Sequence, residues 1–177
     1  MLPKYNAYGG WPASGEIDIV ESRGNKNYSI DDNQIGSQLA GATLHWGPDS
    51  FTNRYQITHW EQRNETGYDK NFHDYKVIWT PKNMTFYIDN KKIGSVVPRG
   101  GFWEYGNLSD TNRDNPWQYS SSRMAPFDQE FYIIVQNSVG GIAYFPDNAK
   151  NAAGDKPWTN PSPKVSNNEN IIALLNT

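Results

Sequence analysis

Apolar and polar positions alternate with a period of two in several short runs along the chain. Residues 15–21 read Gly-Glu-Ile-Asp-Ile-Val-Glu, acid against aliphatic. A period of two sends successive side chains to opposite faces, so the run predicts a strand. Residues 39–46, LAGATLHW, predict a second. HDYKVIWT, residues 73–80, puts Tyr75, Val77 and Trp79 on one face. MTFYIDNKKIGSVV, residues 84–97, predicts a hairpin with Asn90-Lys91 at its turn, since Asn tolerates positive φ. EFYIIVQNSV, residues 130–139, is the most apolar run and predicts a central strand. Between these lie polar segments rich in Gly, Pro, Asn and Ser at 22–38, 98–128 and 144–168. Loops of that length in a compact domain are expected to be functional or without fixed structure. The last ten residues, NENIIALLNT, predict the start of a helix. There is no internal repeat and no heptad pattern. The expectation is one all-β domain, a sandwich or jelly roll. Five or six strands are few for a closed sandwich, so the chain reads as a segment of something longer.

Composition narrows the picture. Of 177 residues, 36% are hydrophobic and 14% aromatic, with 7 Trp and 11 Tyr. Many flat rings and few aliphatics suit strands and their loops. The net charge of −3 comes without any basic run, which argues against nucleic acid as a partner. No stretch approaches the roughly 18 apolar residues of a membrane span. Cysteine is absent, so there are no disulfides and no thiolate metal sites. Sequons at Asn27, Asn64, Asn83 and Asn107 are about as many as chance supplies, and favour secretion only slightly.

The chemistry is concentrated in Glu16, Asp18 and Glu21. On a strand, Glu16 and Asp18 share a face while Ile17 and Ile19 pack on the other. Glu21 has the wrong parity, and a regular strand would bury it at high cost. A β-bulge near Ile19–Val20 absorbs one residue and returns Glu21 to the acidic face. Glu16 and Glu21 are then about 13 Å apart along the strand. Side chains leaning together could approach the roughly 5–5.5 Å carboxyl separation of a retaining glycosidase. Crowded carboxylates resist full ionisation, so the trio is expected to hold a proton near neutrality, with Asp18 in an electrostatic role. Taken alone, the motif reads more often as a solvated acidic face.

Its surroundings carry more. MLPKYNAYGGWPASGEIDIVESRGN at 1–25, TLHWGP at 43–48, YKVIWTP with MTFYID downstream, PFDQEFYIIV at 126–135, VGG at 139–141, YFPD at 144–147 and KPW at 156–158 together resemble glycoside hydrolase family 16. The resemblance is to its endo-β-1,3-glucanase (laminarinase) branch, which also contains animal β-1,3-glucan and lipopolysaccharide recognition proteins. It implies a jelly-roll β-sandwich of the concanavalin A-like kind, here lacking N-terminal strands and a last strand, with residues 1–177 as a partial catalytic domain. It implies Glu16 as nucleophile, Glu21 as acid/base and Asp18 as auxiliary acid, with Trp11 and His45 near the sugar subsites. Gln136 stands where the family usually has Asn, and Asn137 where it usually has an apolar residue. The stretch between Gly141 and Tyr144 looks shorter than usual. Trp46, Trp103, Trp117 and Trp158 are weaker cleft candidates, and Trp79 is expected in the core.

The resemblance leaves two functions to weigh: retaining endo-hydrolysis of β-1,3-glucan, and non-catalytic recognition of glucan or microbial polysaccharide. Intact Glu16, Asp18 and Glu21 favour the enzyme. A third reading is an incomplete gene product whose isolated segment is poorly soluble and inactive. The implied partner is a β-glucan polysaccharide and the implied location extracellular. No cofactor enters the chemistry. Some family members carry a structural calcium, for which no ligand cluster is evident in this sequence.

Overall fold

A computed structural model describes residues 1–138, 140, 144–156 and 158–160. Strands dominate, in the order β1 (Leu2–Pro3), β2 (Glu16–Ser22), β3 (Ser29–Ile30), β4 (Asn33–Gln34), β5 (Leu39–His45), β6 (His59–Arg63), β7 (Tyr75–Trp79), β8 (Met84–Ile88), β9 (Lys91–Val96) and β10 (Phe131–Tyr132). One short helix, α1 (Gly101–Tyr105), follows β9. No helix among the described residues is long and apolar enough to cross a membrane.

The chain divides into two compact units. The first comprises Met1–Glu21, Ala40–Gln62 and Asn71–Ile134, and the second Ser22–Leu39, Arg63–Lys70 and Val135–Thr177. In the first, β7, β8 and β9 form an antiparallel meander, with Tyr75 opposite Ile88 and Trp79 opposite Met84. Tyr75, Val77 and Trp79 are the half-buried positions of β7 and Lys76 and Ile78 the exposed ones, as the alternation predicts. The hairpin turn lies one residue earlier than expected. Asp89 and Asn90 carry it, with φ of 48° and 62°, and Lys91 already pairs with Ile88. Two consecutive positive φ values suit the right-handed twist of a hairpin, and Asp and Asn bear them at little cost.

A second three-stranded sheet has the order β2-β5-β6. β6 was not legible in the sequence, because Trp60 is its single apolar residue. That ring packs 5.3 Å, centroid to centroid, from Phe86 of the meander. It also occupies the space where a side chain at Gly94 of β9 would stand. Glycine is therefore the residue that lets these strands close on Trp60.

Ile17, Ala42 and Leu44 from the β2-β5-β6 sheet meet Met84, Phe86 and Val96 from the meander in one core. Segment 98–128, expected as loop, completes it. Phe102, Leu108, Trp117, Met124 and Phe127 are all buried there. They lack a period because they come from α1, a 3-10 turn at Leu108–Thr111 and irregular chain. Their burial excludes water like any strand's, yet leaves no alternating signature.

The run at 130–139 corrects another expectation. Among its described residues, only Phe131 and Tyr132 are in a strand, paired with Pro3 and Leu2 of β1. Ile133 and Val135 are 73% and 96% exposed. A strand exists only where a neighbour takes its backbone hydrogen bonds, and β1 supplies two residues. The second unit holds the β3–β4 pair, a bridge from Ser29 to Lys150, and Arg23 stacked 3.8 Å over the Tyr144 ring. The expected C-terminal helix and the stretch between Gly141 and Tyr144 lie outside the described residues.

Candidate functional site

The acidic strand β2 lies beside β5, and the two sets of side chains register parity directly. Thr43 and His45 stand two apart on β5 and share a face. The Thr43 hydroxyl donates to Glu21 Oε2 at 3.1 Å, and His45 Nε2 lies 3.4 Å from Asp18 Oδ2. Asp18 and Glu21 are three apart, an odd number, yet both reach that face. That is the arrangement a β-bulge between them would give. Ile19 still packs against the core, whereas Val20 is 41% exposed. The energetic logic is simple: exposing a valine is cheap, and burying a lone carboxylate is not.

Glu16 opens the strand after the Trp11–Gly15 turn, and the indole Nε1 of Trp11 donates to Glu16 Oε2 at 2.7 Å. Glu16, Asp18 and His45 each bring one polar atom within 4.8 Å of the others. Burial, helped by the charges of Glu16 and Glu21, pushes Asp18 up to about 8. The proton expected for the trio thus sits on Asp18 at neutral pH. Its Oδ2 is buried and makes no hydrogen bond within the described residues, so the 3.4 Å approach of His45 is a contact without hydrogen-bond geometry.

His45 is oriented from its other side. Asn53 Oδ1 accepts from the backbone N–H groups of Trp46 and Tyr55, which turns its Nδ2 toward His45 Nδ1 at 2.9 Å. An amide nitrogen only donates, so Nδ1 accepts and the ring proton resides on Nε2, facing Asp18. Burial holds His45 below its ordinary value, against the pull of Glu16 and Glu21. The ring is therefore neutral at pH 7. Trp11 and Tyr55 flank it at centroid distances of 5.6 and 5.2 Å. Both rings are partly exposed, Trp11 by 48%.

Glu16, Asp18 and His45 are a metal-like cluster that the sequence did not disclose, because His45 is remote in the chain.

Of the residues singled out from sequence, Trp11, Glu16, Asp18, Glu21 and His45 come together on this face. Gln136 belongs to the second unit, is exposed, and donates its amide to Ser138 at 2.8 Å. Three of the other tryptophans pack in or against the core. Trp46 is fully buried and donates to Thr58, Trp117 is buried and donates to the Ala13 carbonyl, and Trp103 packs on the core and donates to Ser109. Trp79 packs there too, bonded to the Phe127 carbonyl. Thr43, Asn53, Tyr55 and His59 were missed. Thr43 alone carried a signal, as the polar residue that shares the parity of His45.

The fold and site define an all-β protein that gathers three carboxyl groups and exposed rings on one sheet face, the equipment of a carbohydrate-active protein. The chain belongs to the Glycosyl hydrolases family 16, whose sequence profile matches residues 5–101. Its open sheets are strands of that family's jelly-roll sandwich. It is 44% identical over 165 residues to a Beta-1,3-glucan-binding protein of Penaeus monodon, covering 92% of this chain and 42% of that one. It is 32% identical over 143 residues to a Glucan endo-1,3-beta-glucosidase of Cryptopygus antarcticus, covering 80% and 43%. A Gram-negative bacteria-binding protein 1 of Drosophila melanogaster is 31% identical over 154 residues, covering 86% and 29%. The chain thus spans less than half the length of each of these relatives.

Proposed function

We propose that this chain carries the catalytic face of a secreted, retaining endo-β-1,3-glucanase. One observation carries the reading: Glu21 turns to the same face as Asp18 despite its parity, which costs the strand a regular register and makes sense for a carboxyl with work to do there. Glu16 attacks the anomeric carbon and forms a glycosyl–enzyme ester. Glu21, as the acid, protonates the departing glycosidic oxygen. Glu21 then takes a proton from water, and that water attacks the ester and releases the sugar with retained configuration. The Trp11 N–H occupies Glu16 Oε2 and leaves Oε1 for attack. A protonated Asp18 adds a hydrogen-bond donor near the nucleophile instead of a third negative charge. The exposed faces of Trp11 and Tyr55 suit the apolar C–H face of glucose.

The test uses the full protein that contains this chain. Glu16→Gln and Glu21→Gln are each expected to lower reducing-end release from laminarin by about a thousandfold or more, with laminarin affinity kept within a few-fold. Turnover at the wild-type rate in either variant ends the assignment.

The second reading is a glucan-recognition protein without turnover. Its support is the 44% identity to a relative named for glucan binding. Tight laminarin binding with no reducing ends released by the unmutated protein decides for it. The complete carboxyl trio favours the hydrolase.

A further inference from the structure

Beyond the acids themselves, a polar chain crosses the sheet from Glu21 to its far strand. Thr43 on β5 is almost fully buried and has one hydroxyl proton. Its Oγ1 lies 3.1 Å from Glu21 Oε2 and 2.9 Å from His59 Nδ1 on β6. His59 Nε2 lies 3.3 Å from Glu61 Oε1, two residues along the same strand. We propose that Thr43 and His59 form a hydroxyl–imidazole relay that positions the Glu21 carboxyl for proton transfer, an inference that rests on the hydrolase reading.

The hydrogen-bond inventory dictates how the relay works. A carboxylate only accepts, so the Thr43 hydroxyl gives its proton to Glu21 and can then only accept from the ring. His59 must present N–H at Nδ1. That fixes the direction of donation on the acid's side, from His59 Nδ1–H to Thr43 Oγ1 and from the Thr43 hydroxyl to Glu21 Oε2, while Nε2 faces Glu61. If His59 instead keeps a proton only on Nε2, toward Glu61, its Nδ1 competes for the Thr43 hydroxyl and Glu21 Oε2 loses its donor. The groups facing this ring are Glu61 on its own strand, Thr43 with Glu21 behind it, and the neutral ring of His45. A valine would fill the same volume at position 43. The sheet therefore gains nothing in packing from a buried hydroxyl, which needs its partners to offset its own desolvation.

The experiment compares Thr43→Val, Thr43→Ser and His59→Gln in the full protein on laminarin. Thr43→Val is expected to lower kcat about tenfold to a hundredfold with KM within threefold. Thr43→Ser is expected to recover kcat to within about threefold, and His59→Gln to fall between. A folded Thr43→Val variant with wild-type kcat, or a serine variant as slow as the valine one, overturns the relay and leaves the hydrolase reading intact. Wild-type protein that binds laminarin without turnover sinks the hydrolase reading. Long-range proton–nitrogen NMR of the histidine rings then still decides the relay. A His59 Nδ1 signal that changes in Thr43→Val and is restored in Thr43→Ser supports the contact chain, and one that is indifferent to both removes it.

Discussion

Asp18 is the residue whose state most depends on its surroundings. Its carboxyl is pushed up to about 8, first by burial and then by Glu16 and Glu21. A raised carboxyl binds more protons folded than unfolded. Its contribution is therefore most favourable below about pH 4, is lost as pH rises toward 8, and is flat above. Asp18→Asn keeps the shape and removes the charge. Its melting temperature is expected to exceed wild type by roughly 5 °C at pH 8, with the gap closing near pH 4. Equal melting curves for the two proteins across that range would remove the buried-proton account. Asn53 offers a second check. Asn53→Asp replaces the donor that faces His45 Nδ1 with an acceptor, and the same histidine NMR should show the ring proton move to Nδ1.

At the scale of elements, one close contact between the two three-stranded sheets is set by a ring and a missing side chain. Trp60 of β6 lies against Phe86 and fills the space over Gly94. Gly94→Ala forces that ring away and is expected to cost about 1–3 kcal/mol in urea unfolding. In a Trp60→Leu background the same change should cost less than half as much, since the obstacle is gone. The same scale shows where local pattern was readable. β2, β7 and the β8–β9 hairpin could be read from alternation, because each sets a core face against a more exposed one, whereas β5 is buried on both faces. β6 was hidden because one tryptophan among His59, Glu61, Gln62 and Arg63 makes no period. Segment 98–128 was hidden because short helical turns deliver buried rings at irregular spacing.

For the whole molecule, the apolar run after β10 is the conspicuous surface. Ile133 and Val135 are exposed and lie outside any strand among the described residues, an apolar run of the kind that can add to another strand. The 177-residue chain by itself is expected to be poorly soluble. Ile133→Lys with Val135→Lys should raise its soluble yield severalfold without lowering its melting temperature. A cooperative melt and high solubility in the unmodified chain would show that the run is not the liability it looks. In the full protein the same double substitution separates two cases. Loss of stability there means that the run is covered by chain beyond these residues.

What the sequence determined alone was chemical identity and local parity. Three acids, their spacing and the mismatch at Glu21 are one-dimensional facts, and by themselves they demand an irregular strand. What only the tertiary structure decided was company. The donors on Glu16 and Glu21, the proton on Asp18, the tautomer of His45 and the fate of each tryptophan depend on residues from other strands and loops. A strand's alternation constrains which way a side chain points. Burial and hydrogen-bond partners come from whatever the fold brings across to meet it.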